Sequence, residues 1–416
     1  MMGDIMKYKK LMAAITVVII CMICFAAVAE TFTKEQESQI IKNNKHGAFD
    51  FDDKIEHENT YVPDRIIKAG GYNNIHNENM IPGMYMTGIS CWGDSMMEGV
   101  GSEDAYILTE QGDVDISYYT TPYTLEKLTG INTYNFGVSG ETSAEITRRA
   151  GGLKMYTDRD LYLTKDMFED VCFVDDQGDP VYMYDFSGYG IEDNDYPDTV
   201  YINGILCQIE KKWEIDDDDW SDNRDAGFDT ADYVVGIKIY DNAFVNNQLD
   251  YMYVENGTTA IPKAANDHKN DILILEMGSN GGWDDYEDLI SQYQAIIDYT
   301  GCSNYIIVGD TDDPGKSLAD DEDYDYNADD ESIEYTEWES ALQEAFGDHF
   351  VNTREYLIKN GLRDCGLREN TLDKIYRAFG CISVKLRSDW THFNAYGYYS
   401  KGIAIYQKGR ELGYWE

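Results

Sequence analysis

The chain has 416 residues, 43% of them apolar, which is enough to bury a sizeable core and excludes a disordered protein. With 33 Lys and Arg against 78 Asp and Glu, the net charge is −45. A surface of that sign excludes nucleic acid and anionic membrane as general partners and favours neutral or cationic ones. No basic cluster in the mature sequence is long enough to reverse this. The length allows one large domain with an insertion, or two domains.

Residues 1–29 read as an export signal. Lys7, Lys9 and Lys10 precede an uncharged, mostly apolar run from 11 to 29 that ends in Ala27-Val28-Ala29, a small-x-small cleavage pattern. The run is nearly long enough to span a bilayer, so an uncleaved anchor is the alternative. Cys21 and Cys24 lack a small residue just before them, which argues against a lipoprotein anchor. Both readings predict a secreted or cell-surface protein. Cleavage removes three Lys and one Asp, a net +2, and leaves −47.

Residues 30–82 are polar and rich in Asn, Glu and Lys, as in a linker or wrapping arm. Strand and helix signals then alternate. A strand over 85–91 runs into Gly93-Asp94-Ser95. A short helix is predicted with Thr121 as cap, Pro122 in its first position and an end near 128. A strand over 134–138 leads to a helix over 142–150, stopped by Gly151-Gly152. From 153 to 269 the rhythm changes to short β-like runs at 171–174, 180–184, 199–205, 233–240 and 251–254, separated by Gly, Asn and Asp. This predicts an inserted small β module.

Alternation resumes with a continuous apolar run over 272–277, as a buried parallel strand requires. A helix over 284–299, a strand over 305–308 and helices near 331–346, 371–378 and 394–411 follow. The alternation predicts an open α/β parallel sheet with helices on both faces. In such sheets active sites lie beyond the carboxyl ends of the strands.

Six cysteines follow the leader: Cys91, Cys172, Cys207, Cys302, Cys365 and Cys381. An even count in an exported chain permits disulfides, and buried thiols fit as well. No Cys/His cluster has zinc spacing, so neither a metal nor a cofactor is predicted. The acidic runs at 216–219 and 320–325 lack the glycine of a calcium loop and read as solvated loops, a weak calcium site being the alternative. Residues 309–317 end like a phosphate loop, but the spacing is one residue too long, and Asp310, Asp312 and Asp313 repel phosphate. There is no G-x-S-x-G elbow.

Four segments carry chemistry. Gly93-Asp94-Ser95 can present a hydroxyl at a tight turn after a strand, although alone it reads equally as an ordinary turn. The octapeptide from Asn135 to Thr142 places Gly140 where its N–H can meet an anion at a helix start, or else simply caps that helix. Gly278-Ser279-Asn280 supplies a side-chain amide able to stabilise an oxyanion, or forms a turn. Asp389-Trp390-Thr391-His392 can hold a carboxylate on one imidazole nitrogen and leave the other for the serine. Of the six histidines, only His392 combines an acid at this spacing with a position just ahead of a helix.

These four segments, in this order, resemble the four sequence blocks of the SGNH hydrolases, also called GDSL esterases and lipases. The resemblance covers 83–152 and 270–416 and omits the arm and the 153–269 insert. It implies a three-layer α/β/α, flavodoxin-like fold. It also implies Ser95 as nucleophile, His392 as general base and Asp389 as the residue that orients it, with an oxyanion hole from the Ser95 and Gly140 N–H groups and the Asn280 amide. The sequence departs from the family pattern at Met96, where Leu follows the serine, and at Gly281, where an acid often follows the Asn. Trp92, Trp283 and Trp390 flank three of the blocks and are candidates to stack on a sugar or line an acyl pocket, core packing being the alternative. The expected function is an exported serine esterase acting on a small ester or acylated glycan, with carbohydrate deacetylation the leading substrate class. The alternatives are an O-acyltransferase on a cell-surface glycan and a non-catalytic glycan-binding or adhesion protein. No nucleic acid partner is expected, and no membrane lipid beyond the leader.

Overall fold

The computed structural model describes residues 88–109, 112–181, 183, 186, 198–211, 234–240, 251–311, 333, 335–389 and 391–415. The leader, the arm, both acidic runs and Trp390 lie outside the described residues.

In chain order, the first part comprises β1 (Ile89–Gly93), α1 (Ser95–Glu98), a hairpin of β2 (Tyr106–Thr109) and β3 (Gly112–Asp115), α2 (Thr121–Thr129), β4 (Thr133–Gly137) and α3 (Ser143–Arg149). The insert contributes β5 (Met155–Thr157), β6 (Leu161–Thr164), β7 (Glu169–Val174), β8 (Thr199–Ile202), β9 (Ile205–Lys211), β10 (Val234–Ile239), β11 (Tyr251–Val254) and β12 (Thr259–Pro262). The last part holds α4 (Lys263–Asp267), β13 (Ile272–Leu275), α5 (Tyr286–Thr300), β14 (Tyr305–Val308), α6 (Glu337–Phe346), β15 (Phe350–Val351), α7 (Thr353–Tyr356), α8 (Thr371–Ala378) and α9 (Ala395–Glu411).

The chain is mixed α/β. Five strands form a parallel sheet in the order β15-β14-β13-β1-β4. The apolar run in β13 shows why the sheet is covered on both sides. Ile272 and Ile274 join one buried cluster with Leu125 of α2 and Ala404 and Ile405 of α9. Leu273 and Leu275 join another with Ile146 of α3, Leu289 and Ile296 of α5 and Leu342 of α6. Alternate residues of a strand face opposite sides, so a strand buried on both faces must be apolar throughout.

Several boundaries differ from expectation. Thr120, not Thr121, caps α2, its hydroxyl accepting from Tyr123 N at 3.3 Å, and Pro122 falls one residue into the helix. α5 begins at Tyr286 behind an Asp285 cap. α6 begins at Glu337, where Thr336 and Glu339 form a capping box that satisfies the exposed N–H groups. Earlier residues of the predicted helix fall partly outside the described residues.

The insert is more ordered than a set of short strands. β10-β7-β5-β12-β8-β9 close into an antiparallel barrel, and β6 and β11 pair beside it. Its interior is an apolar cluster that includes Met155, Phe173, Val200, Ile202, Ile209, Val235 and Ile237. Closure removes the free edges that short strands otherwise expose.

Candidate active site

β1 lies next to the edge strand β4 of the parallel sheet, where the chain reverses its direction of growth. It pairs with β4 on one side and β13 on the other. The carboxyl ends of these three strands therefore meet at a topological switch point, the usual place for a crevice. They carry Gly93-Asp94-Ser95, the 138–142 turn and Gly278-Ser279-Asn280.

The serine turn is built by close packing and a cap. A Cβ on Gly93 would come 2.6 Å from Glu276 O, and one on Gly137 would come 2.0 Å from Glu98 N. Only glycine lets α1 cross so tightly over the strand ends. Buried Asp94 caps α1, accepting from Met96 N at 2.9 Å, and leaves Ser95 half-buried in the first helical position. Beneath α1, buried Lys401 of α9 donates to the Glu276 carboxylate and to Met96 O, the latter at 3.4 Å.

His392 and Asp389 reach this point from a loop 297 residues later in the chain. His392 Nε2 is 3.0 Å from Ser95 Oγ, and its Nδ1 is 2.9 Å from Asp389 Oδ2. Asp389 Oδ1 accepts from the backbone N–H groups of Thr391 at 2.8 Å and His392 at 2.6 Å. Burial opposes ionisation of this carboxyl, but the hydrogen bonds from His392 and Thr391 outweigh it and hold its pKa down to about 2. Asp389 is thus an anion across the neutral range. It faces the nitrogen that must carry a proton when the other nitrogen accepts one from Ser95.

The loop is braced from behind. Arg387 donates to Thr391 O at 3.0 Å and to Thr311 O at 2.7 Å. Ser388 N donates to His392 O at 3.0 Å. Asn394 caps α9 and ties back to Lys385 O and Arg387 O at 3.0 and 3.2 Å. Sequence reading missed Arg387 and Asn394. The Asn394 cap has a sequence signal, an Asn just ahead of a helix; the Arg387 contact with Thr311 joins segments 76 residues apart.

Asn280 links the other two strand ends. Its amide donates to Glu141 O at 3.1 Å and approaches Asp94 Oδ2 at 3.4 Å. It therefore sits against the residue after Gly140 and the residue before Ser95. Gly140 adopts φ of 76°, a left-handed conformation that an L side chain would strain. Two further contacts missed in the sequence hold this turn. Glu98 accepts from Ser139 N at 2.6 Å and from its hydroxyl. Fully buried Arg149 donates to Glu141 Oε2 at 2.8 Å, to Phe136 O at 2.8 Å and to Gly93 O at 3.3 Å. One guanidinium thus ties the ends of β1 and β4 to the residue beside Gly140.

The tryptophans divide. Trp92 is 2% exposed and packs on Phe136 in the core, so it offers no surface to a sugar or acyl chain; that expectation is corrected. Its place follows from the strand: at this register it points into the face covered by α3 and α5. Trp283 is half-buried between Tyr286 and Trp338, and its indole N–H donates to Gly278 O at 2.8 Å. It braces the Asn280 turn and is only partly exposed. Cys91 and Cys207 are buried free thiols, and burial pushes Cys207 up to about 12, which makes it inert.

Among the described residues, no group of three or more acidic, His or Cys side chains is arranged to hold a metal ion, and no helix is long and apolar enough to cross a membrane. No family model matches the chain, and neither a curated protein nor a solved structure matches it.

Proposed function

We propose that the protein is an exported serine esterase of the SGNH type that cleaves esters through an acyl-enzyme, with acetylated carbohydrate as its substrate class. The observation that carries this reading is the hydrogen-bonded series Ser95–His392–Asp389 at the carboxyl ends of a parallel sheet. Supporting it, the five sheet strands taken in their own chain order run 2-1-3-4-5, the order of flavodoxin-like doubly wound sheets. The helices on both faces of that sheet fit the three-layer α/β/α arrangement.

In this mechanism Ser95 Oγ attacks the ester carbonyl while His392 Nε2 takes its proton. Asp389 stabilises the imidazolium through Nδ1. The Ser95 and Gly140 N–H groups and the Asn280 amide meet the charge on the tetrahedral oxygen. His392 then protonates the leaving alcohol, activates a water against the acyl-enzyme and returns the proton to Ser95. The sugar preference rests on the acidic surface, on the export reading and on the partly exposed Trp283 beside the Asn280 turn.

The test is release of p-nitrophenol from acetyl and longer p-nitrophenyl esters, together with labelling by a serine-directed phosphonate. Release and labelling that vanish in Ser95→Ala, with preference for acetyl, support the reading. Labelling undiminished in Ser95→Ala removes Ser95 as nucleophile. Product analysis with a glycan acceptor separates hydrolysis from acyl transfer.

A further inference from the structure

β6 and β11 form a two-stranded ribbon beside the barrel, and its two faces are unlike. Successive residues of a strand point to opposite sides. Leu161, Leu163 and Val254 are buried in the barrel core, with Met252 packed against them. The intervening residues, Tyr162 and Thr164 of β6 and Tyr251 and Tyr253 of β11, share the other face. There Tyr251 is 74% exposed, Tyr162 68% and Tyr253 47%. The outer face of such a ribbon needs only polar side chains to meet water. Three largely exposed tyrosines on it add nothing to the core, and an exposed apolar surface of this kind marks a binding face.

The register arranges the rings as a platform. Tyr253 stands directly opposite Tyr162, with ring centroids 5.1 Å apart and planes inclined by 49°. A cross-strand aromatic pair steadies a ribbon, which accounts for part of those two rings. Tyr251 lies two residues along β11, a step of about 7 Å, opposite Thr164. It extends the platform along the strands while most of its ring meets water. Hydrogen bonding to Asp160 raises the Tyr253 pKa, so this hydroxyl remains a donor.

We infer that this ribbon is a second, non-catalytic binding site for a neutral polysaccharide, with sugar rings stacked on the Tyr162–Tyr253 pair and on Tyr251. A pyranose presents a flat face of C–H groups edged by hydroxyls. Tyrosine matches it with an apolar ring face and a polar tip, and carboxylates at the rim accept from sugar hydroxyls. The rim also decides against other occupants. Asp160, Asp166 and Glu255 stand exposed beside the strands, while Arg159 is paired with Asp158. These carboxylates repel the phosphates of nucleic acid and anionic lipid. A second copy of the chain, pairing the same face on itself, would set the same acids against one another. None of these residues belongs to the Ser95–His392–Asp389 series, so the site does not depend on the esterase reading. Where the substrate is an acylated polysaccharide, a second site keeps the enzyme on the polymer between turnovers.

Native electrophoresis tests this directly, with the full chain carrying Ser95→Ala run through gels containing hydroxyethyl cellulose, galactomannan or arabinoxylan. At least one polymer should retard the chain. Tyr162→Ala with Tyr251→Ala should weaken the apparent affinity about tenfold or more, whereas Tyr251→Phe, which keeps the ring, should retain it. These exposed substitutions should leave the urea midpoint near that of the parent. With Ser95 restored, p-nitrophenyl acetate turnover should also be unchanged. Retardation by a chain that shows no turnover supports the site and separates it from the esterase reading. Three results overturn the inference. One is no retardation by any of the polymers. Another is retardation that survives the double tyrosine substitution, which would put the glycan elsewhere, at the catalytic crevice if Trp283→Ala abolishes it. The third is self-association without polymer that the tyrosine substitutions remove, which would assign the ribbon to a second copy.

Discussion

In the barrel, the buried side chains between Met155 and Pro262 are, among the described residues, apolar except for Thr157 and Thr199. The parallel-sheet region, by contrast, buries Arg149 with Glu141, Arg354 with Glu339 and Lys401 with Glu276. A buried ion pair seldom stabilises more than well-packed apolar residues would, because both charges lose their water. Among its described residues, the barrel core is closed without such a pair. Two of the three pairs touch the turns around Ser95 and Gly140, where carbonyls and loop ends need fixed donors that an apolar side chain cannot supply. The third, Arg354 with Glu339, also donates to Gly380 O at 2.7 Å and joins α6 and α7 to the turn after α8. The contrast separates a region packed for stability from one that places polar groups at stated points.

This contrast can be broken by substitution. The largest effect is expected at the nucleophile: Ser95→Ala should lower kcat for p-nitrophenyl acetate by about 10⁴-fold or more. Its denaturation midpoint should stay near that of the parent chain. Arg149→Met comes next. It leaves Glu141 buried without its guanidinium and should cost about 3–5 kcal/mol in urea unfolding, with a fall in kcat among the molecules that remain folded. A small effect on both would make the pair ornamental and dissolve the distinction drawn above.

Asn280→Ala removes one oxyanion donor and should raise the barrier by about 3 kcal/mol, seen as a drop in kcat with KM little changed. A rise in KM alone would mean that Asn280 binds substrate and does not act on the transition state. In the barrel, Ile237→Val should cost about 1 kcal/mol of stability and leave kcat unaltered. A barrel substitution that changed kcat without unfolding would show that the insert reaches the substrate.

The smallest expected effect concerns pH. The Asp389 pKa, near 2, lies below its value in an unfolded chain, so its contribution to stability is complete above about pH 4 and is lost as pH falls towards 2. Between pH 4 and 8 it does not titrate, and the acid limb of kcat/KM should then follow a single group, the imidazole. An acid limb that needs two protons would contradict the hydrogen bonding seen at Asp389.

Much of this was legible in the sequence where the signal is local. β11 and β14 and helix α8 fall where periodicity placed them, and the Thr142 cap with its Glu145 partner can be read from four residues. The same local patterns picked out Ser95, Asn280 and the Asp389–His392 spacing, because a short motif after a strand or before a helix carries its own geometry. Hairpin β2–β3 was not predicted, since its strands are short and β3 is exposed along its whole length, with no buried face to impose alternation.

Tertiary structure decided what depends on distance along the chain. It set Ser95 3.0 Å from a histidine 297 residues away and closed the insert into a barrel. It sent Trp92 into the core and Arg149 to the carbonyls of two different strands. It also made Asp373 the buried side chain of α8, although periodicity alone predicts that the apolar side is the buried one. Periodicity reports that a helix has an apolar side. Which way that side faces is settled only when the competing anchors, here Asp373 with Ser383 and Lys385, are brought together by the fold.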